Sequence, residues 1–494
     1  MLSGVVLWAI IPALTLGCQG AHGPAQERPS ESHIRRLIQR LGSDSLEERN
    51  QVAQRLKSTG RPAVPFLKEA AESDDREVAA RATHILRVIE IRGRLTERLL
   101  TLMPGVEERL ARGDDHEWTR VFLEAGTVTF GGEIAERTVR EDFMPLAERA
   151  FLGVRSDEEE GWVCSVIGER QLHHMTPQLM KLLREGSEDS QGRATQALGD
   201  LRVKEAVPDI VRLMKTIEHI AYTSTACYAL CRMEKEAVLP SLLPVVKNRE
   251  SWLRGYAIQV LAELGAKEAV PAIRDRLKDD DSSVLEAAVE ALASLGAKEA
   301  AGDIAKLLEG EYVHVAVDAA QGLANLQAKE FIPQIAKWLD PRHPPYAQKE
   351  IGRALCTLGS PIGIEWWLER ASRDDELDLE PLNAARRPDV WKRLKGKRIR
   401  SAGETGRKLG EIIAAQLGLK WDASGLGSAE EKPWRPGYTE VQPRGWAVRD
   451  LDLALSGVSS EGYEYVLESD RIRLLPRDKA LAFWKDWWTR EKGK

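Results

Sequence analysis

"LGAKEA" stands at Leu264–Ala269 and again at Leu295–Ala300. Six residues that offer one Lys and one Glu among small and apolar neighbours cannot duplicate a catalytic loop, so their spacing has to supply the meaning. An apolar pair, a turn and "KEA" recur in "ALGDLRVKEAVPDI" from Ala197, "ALCRMEKEAVLPSL" from Ala229, "VLAELGAKEAVPAI" from Val260, "ALASLGAKEAAGDI" from Ala291 and "GLANLQAKEFIPQI" from Gly322. The steps are 32, 31, 31 and 31 residues. Degenerate copies flank them, "VIGERQLHHMTPQL" from Val166 and "ALCTLGSPIGIEWW" from Ala354. Seven units at one period predict a solenoid, in which each unit contacts mainly its neighbours.

Each unit reads as two helices. Around Ala291 the apolar set Val284, Ala287, Ala288, Ala291, Leu292 and Leu295 follows the i, i+3, i+4, i+7 spacing of one helical face. Ser283 with Glu286 reads as a capping box at its start, and the Gly of "LGAKEA" as its stop, which makes the hexapeptide a connector. The second helix opens near Pro208, Pro240, Pro271 or Pro333, where a first-turn Pro forfeits no hydrogen bond. A single hairpin of this kind cannot bury its own apolar face; stacking stabilises it.

These units resemble short HEAT-like repeats of the kind also found in phycobilisome lyases, over Val166 to about Arg370. The resemblance implies a mainly α fold, an α-solenoid of helical hairpins, and a protein partner on its surface; through the lyases it also carries a lyase or isomerase alternative. A similar rhythm runs through Leu41 to Ile89, with cap signals at Ser45/Glu48 and Asp74/Glu77. The expected organisation is N-terminal hairpins over 31–113, a degenerate helical stretch over 114–165 interrupted by "EAGTVTFGG" (Glu124–Gly132), and the repeat array over 166–370.

The composition agrees with an array. A chain of 494 residues with 43% hydrophobic, 30% charged and 6% aromatic residues is too long for one compact core and poor in the aromatics of β-sandwiches. A formal charge of -6 gives no reason to expect a general polyanion binder.

At the N-terminus, "VVLWAIIPALTL" (Val5–Leu16) is too short to span a bilayer but has the length of a secretory signal core, and it runs into "GCQG". Gly17 before Cys18 resembles a bacterial lipobox, although Thr15 and Leu16 differ from its usual residues. The resemblance implies a signal peptide over 1–18, lipid on Cys18, a flexible tether over 19–30, and a membrane-anchored location outside the cytoplasm, with a cytoplasmic protein as the alternative.

Beyond Arg370 the period stops. An acidic run at Asp374–Glu380 and a basic one at Lys392–Arg400 mark a charged linker over 371–407. Residues 408–494 read as a small α+β domain. Leu409, Ile412, Ile413 and Leu417 mark a helix, "LKW" a short strand, Leu451, Ala454, Leu455 and Val458 another helix, and Tyr463 to Leu474 a hairpin. "RGWAVRDLDLALSGVSSEGYEYVLESDRIRLLP" is similar to the short N-terminal domain of secretins and TonB-linked receptors. The last segment places Leu481, Trp484, Trp487 and Trp488 on one face of a helix expected to dock on its own domain.

A search for chemistry finds no H-E-x-x-H, G-x-S-x-G, Cys-x-x-Cys or phosphate-binding Gly loop. No catalytic residue, metal site or cofactor is expected. Cys227 and Cys231, at i,i+4, read as buried small residues, and His173 and His174 as solvated loop residues. Nucleic acid is not expected as a partner, because exposed second-helix positions alternate in sign, Asp209 with Arg212 and Asp303 with Lys306. The candidate interaction residues lie in one column of the first helices, where Thr225, Tyr256 and Ala287 are followed by Asp318 and Glu350, with His314 one turn before Asp318. The function expected is a non-enzymatic protein-interaction scaffold; a lyase and a nucleic-acid binder are the alternatives.

Overall fold

The structure is a computed structural model that describes residues 30–216, 220–373, 379–386, 398–401, 414–415, 419–422, 447–450, 463–467 and 471–492. The signal, Cys18 included, and all but the last residue of the tether lie outside the described residues, as do most of the charged linker, most of the helix read at 409–417 and the helix read at 451–458. The chain divides into two compact bodies, Met1–Met175 and Thr176–Lys494.

In the first body, helices Glu31–Gln39, Leu46–Thr59, Val64–Ala71 and Arg76–Arg92 pack around Leu41, Leu56, Leu67 and Ile85. Ser45 caps its helix as read, accepting a hydrogen bond from the Glu48 amide. At the next start Asp75, rather than Asp74, is the cap, with its carboxylate reaching the amides of Glu77 and Val78. Helix Asp115–Gly126 buries Trp118 and Phe122, and the Phe143 ring meets Phe122 edge-on at 5.5 Å. After Gly126 the chain turns into the four-residue helix Val128–Gly131, which leaves Val128 and Phe130 exposed.

In the second body the period becomes two layers. The first helices of successive repeats are Glu188–Asp200, Ile220–Cys231, Ser251–Glu263, Ser282–Ser294, Val313–Asn325 and Pro345–Thr357. Each packs against the next in the series. The second helices are Val207–Thr216, Lys235–Leu242, Val270–Arg274, Ala301–Lys306, Ile332–Ala336 and Pro361–Ala371; the middle four run on as tight 3-10 turns. All six residues of the Val284–Leu295 apolar set are buried. At ~1.5–3 kcal/mol for each fully buried Leu or Val, stacking supplies the stability that one hairpin lacks.

The connectors explain the repeated hexapeptide. Gly265 has φ 63° and Gly296 φ 70°, a left-handed conformation that costs an L-residue about 1–2 kcal/mol. The amide of Ala266 donates to Leu261 O and that of Gly265 to Ala262 O, while Ala297 and Gly296 repeat the pattern on Leu292 and Ala293. These are Schellman caps, and the following Lys-Glu-Ala forms one 3-10 turn into the second helix. Two readings are corrected. The cap of Ser282–Ser294 is Asp281, whose carboxylate takes both the amide and the hydroxyl of Ser283, so Ser283 does not pair with Glu286. Pro240 lies inside Lys235–Leu242, because there "KEA" is already α-helical.

In the C-terminal segment the short strands are β1 (Arg398–Ser401), β2 (Lys420–Asp422), β3 (Ala447–Asp450), β4 (Tyr463–Leu467) and β5 (Arg471–Pro476). β1 pairs antiparallel with β3, and β5 lies between β2 (parallel) and β4 (antiparallel), with Tyr465 opposite Leu474. The Trp-rich helix Arg477–Glu491 follows β5. It packs on β4 and β5 of its own segment and also on the last repeat: Trp484 is buried in one cluster with Val466 and with Ile364, Trp367 and Leu368.

Candidate interaction surface

Several charges of the second-helix layer are held in pairs, some of which link one repeat to another. Arg184 reaches Asp209 at 2.8 Å, Arg274 reaches Asp303 at 2.6 Å, and Lys235 reaches Glu268 at 2.8 Å. Asp209 also meets Arg212 at 3.1 Å and Asp303 meets Lys306 at 2.7 Å. The alternation of sign read at Asp209/Arg212 and Asp303/Lys306 is therefore a set of ion pairs and not a basic stripe. Exposed pairs of this type contribute at most about 1 kcal/mol each, so their effect is chiefly to neutralise the surface.

The first-helix layer is different. Residues four before and three after the sequence-predicted column share its helical face, which sets Trp252, His314 and Tyr346 beside Tyr256, Asp318 and Glu350, and adds Tyr228 and Glu290. Tyr228 is 46% exposed and Tyr346 56% exposed, while Tyr256, Asp318 and Glu350 are half-buried. Large aromatics with accessible rings are the residue type that anchors protein interfaces.

The structure does not join the three predicted residues into one constellation. The His314 ring turns to the preceding helix, placing Nε2 3.2 Å from a carboxylate oxygen of Glu286. Glu350 pairs with Arg353 of its own helix at 3.4 Å. Asp318 is left facing acids: burial raises its carboxyl above the ordinary range, Glu286 raises it further, His314 opposes, and Glu290 adds to the rise. No ion pair of Asp318 or Glu290 occurs among the described residues. Glu286 and Glu290 were missed because neither lies in the column itself. Their one-turn spacing on the helix before Asp318 is the signal that could have found them.

Other candidates are structural. Burial pushes the Cys227 thiol up to about 12 and the Cys231 thiol up to about 11, so both stay protonated at neutral pH, as small half-buried residues would. His173 is exposed, but His174 is not a solvated loop residue: both its ring nitrogens are shielded and without a hydrogen-bond partner. Among the described residues no group of three or more His, Cys, Asp or Glu is placed to hold a metal ion, and no helix is long and apolar enough to cross a membrane.

Comparison with known proteins agrees on the repeat. Residues 239–321 match the family model described as HEAT repeats, and the chain carries HEAT-like repeats. The match does not extend to the C-terminal segment. A comparison with curated proteins finds no match. Among solved structures, an engineered protein is similar at 21% identity and TM-score 0.31, covering 72% of this chain and 97% of that one. The complex of CpcE and CpcF of phycocyanin lyase from Nostoc sp. PCC7120 is similar at 17% identity and TM-score 0.27, covering 49% of this chain and 92% of that one. Kap121p is similar at 12% identity and TM-score 0.38, covering 75% of this chain and 51% of that one.

Proposed function

We propose that this chain is a non-enzymatic scaffold that binds a protein partner on the exposed face of its first-helix layer. The observation that carries the reading is the set of side chains on the first-helix face. The first helices keep exposed Tyr228 and Tyr346 together with Glu290 and Asp318, acids that have no ion pair among the described residues, whereas Asp209 and Asp303 of the second helices are each held by two cations. Binding needs such a surface, with aromatic anchors and charges that gain by meeting an opposite charge. Catalysis needs a nucleophile, base or metal poised in a cavity, and the polar groups gathered here lie open on a helical face. Cross-linking the full chain to the partner it captures from its native extract tests the proposal. Cross-links concentrated on Ser251–Glu263, Ser282–Ser294, Val313–Asn325 and Pro345–Thr357 support it; cross-links confined to the second helices refute it.

The reading of Val5–Cys18 places the scaffold outside the cytoplasm, tethered by lipid on Cys18. Labelled palmitate should enter the wild type and not Cys18→Ser, and the variant should leave the membrane fraction. Absence of label from both, with the protein in the cytosol, refutes the tether without touching the scaffold proposal.

A further inference from the structure

We infer that the array ends in an eighth repeat split by an insertion: Glu380–Arg386 is its first helix, and Arg477–Glu491, supplied from the chain's C-terminus, is its second helix and latches the end of the stack.

The register supports the first half. A step of 31 or 32 residues from Pro345–Thr357 reaches 376–389, and Glu380–Arg386 lies inside that window. It packs on Pro345–Thr357, as each first helix from Ile220–Cys231 onward packs on its predecessor. Leu382 is fully buried there. The same step from Pro361–Ala371 reaches 392–403, where a second helix should follow, but residues 398–401 are strand β1. The basic composition of Lys392–Arg400 offers no apolar face to bury against the stack.

Arg477–Glu491 takes that place instead. Besides β4 and β5 it packs on Pro361–Ala371, a contact of the kind that Val207–Thr216 makes with Lys235–Leu242. Trp484 is fully buried in the cluster that also holds Trp367 and Leu382. The Arg386 guanidinium lies 4.8 Å from the Phe483 ring centre and 5.9 Å from that of Trp484, which ties the two helices of the split repeat together. The Asn383 side-chain oxygen accepts from the Leu467 amide at 2.7 Å, and Lys492 pairs with Glu365. A stack of amphipathic hairpins needs a closing element at its end, and here a helix about ninety residues downstream provides it.

Hydrogen exchange on the full chain tests the latch. Trp484→Ala should lower protection by about tenfold or more at Pro361–Ala371 and Glu380–Arg386 while leaving Glu188–Ser294 within about twofold of wild type. Should that variant fail to fold, Trp484→Leu, which keeps most of the apolar volume, should give the same pattern at smaller amplitude. A loss confined to 463–492 in the variant that folds overturns the inference, because it would mean the helix belongs to a separate C-terminal domain.

Discussion

Three connectors hold non-glycine residues where Gly265, Gly296 and Gly359 stand elsewhere: Gln171 (φ 56°), Arg202 (φ 54°) and Gln327 (φ 58°). The Gln327 amide offsets part of the strain by donating to Ala324 O and, across repeats, to Thr357 O at 3.2 Å. Arg202→Gly should therefore raise stability by about 1 kcal/mol, and Gly296→Ala should lower it by about 1–2 kcal/mol, both read from denaturant midpoints at constant slope. Asp318 gives a pH signature. Its folded carboxyl holds a proton more tightly than the unfolded one, so this group adds stability as pH falls and opposes folding once ionised. Asp318→Asn should be more stable than wild type at neutral pH, by about 0.5 kcal/mol after solvent screening, and the gap should close toward about pH 4. A gap that widens toward acid would contradict the assignment. The column containing Asp318 was legible from the period alone. The turn of His314 toward Glu286 was not, because it depends on which neighbouring helix a side chain meets.

Between elements, close approach depends on small residues. A side-chain carbon at Gly199 would sit 2.6 Å from Ala229, and one at Gly322 would sit 2.6 Å from Val289 on the adjoining first helix. Gly255 and Gly302, also in helices, have nothing within 4 Å of that position. Gly199→Ala and Gly322→Ala should each cost about 1–3 kcal/mol through overpacking, whereas Gly255→Ala and Gly302→Ala should each gain about 0.5–1 kcal/mol from helix propensity. Thermal denaturation of the four variants separates the sets, and equal effects in all four would contradict the packing described. Helix positions were readable because the period fixes which face is buried. Cap residues were misplaced by one or two positions, at Asp75 and Asp281, because adjacent acids and serines offer equivalent acceptors and only the backbone direction selects among them.

The array was legible from seven approximate copies of one connector, since nearest-neighbour packing is encoded locally. The docking of Trp484 beside Trp367 was not, since two residues more than a hundred positions apart carry no local record of each other. Exposed tyrosines and two acids without an ion pair among the described residues, Glu290 and Asp318, mark the first-helix face, while Asp209 and Asp303 on the second helices are each held by two cations. The most direct test of the scaffold account is the affinity of the captured partner for three full-length chains: wild type, Glu290→Lys with Asp318→Lys, and Lys306→Glu on the opposite layer. The account predicts that the double first-layer reversal weakens binding by about tenfold or more while Lys306→Glu stays within about twofold of wild type. Equal affinity in all three, with folding intact, would contradict it.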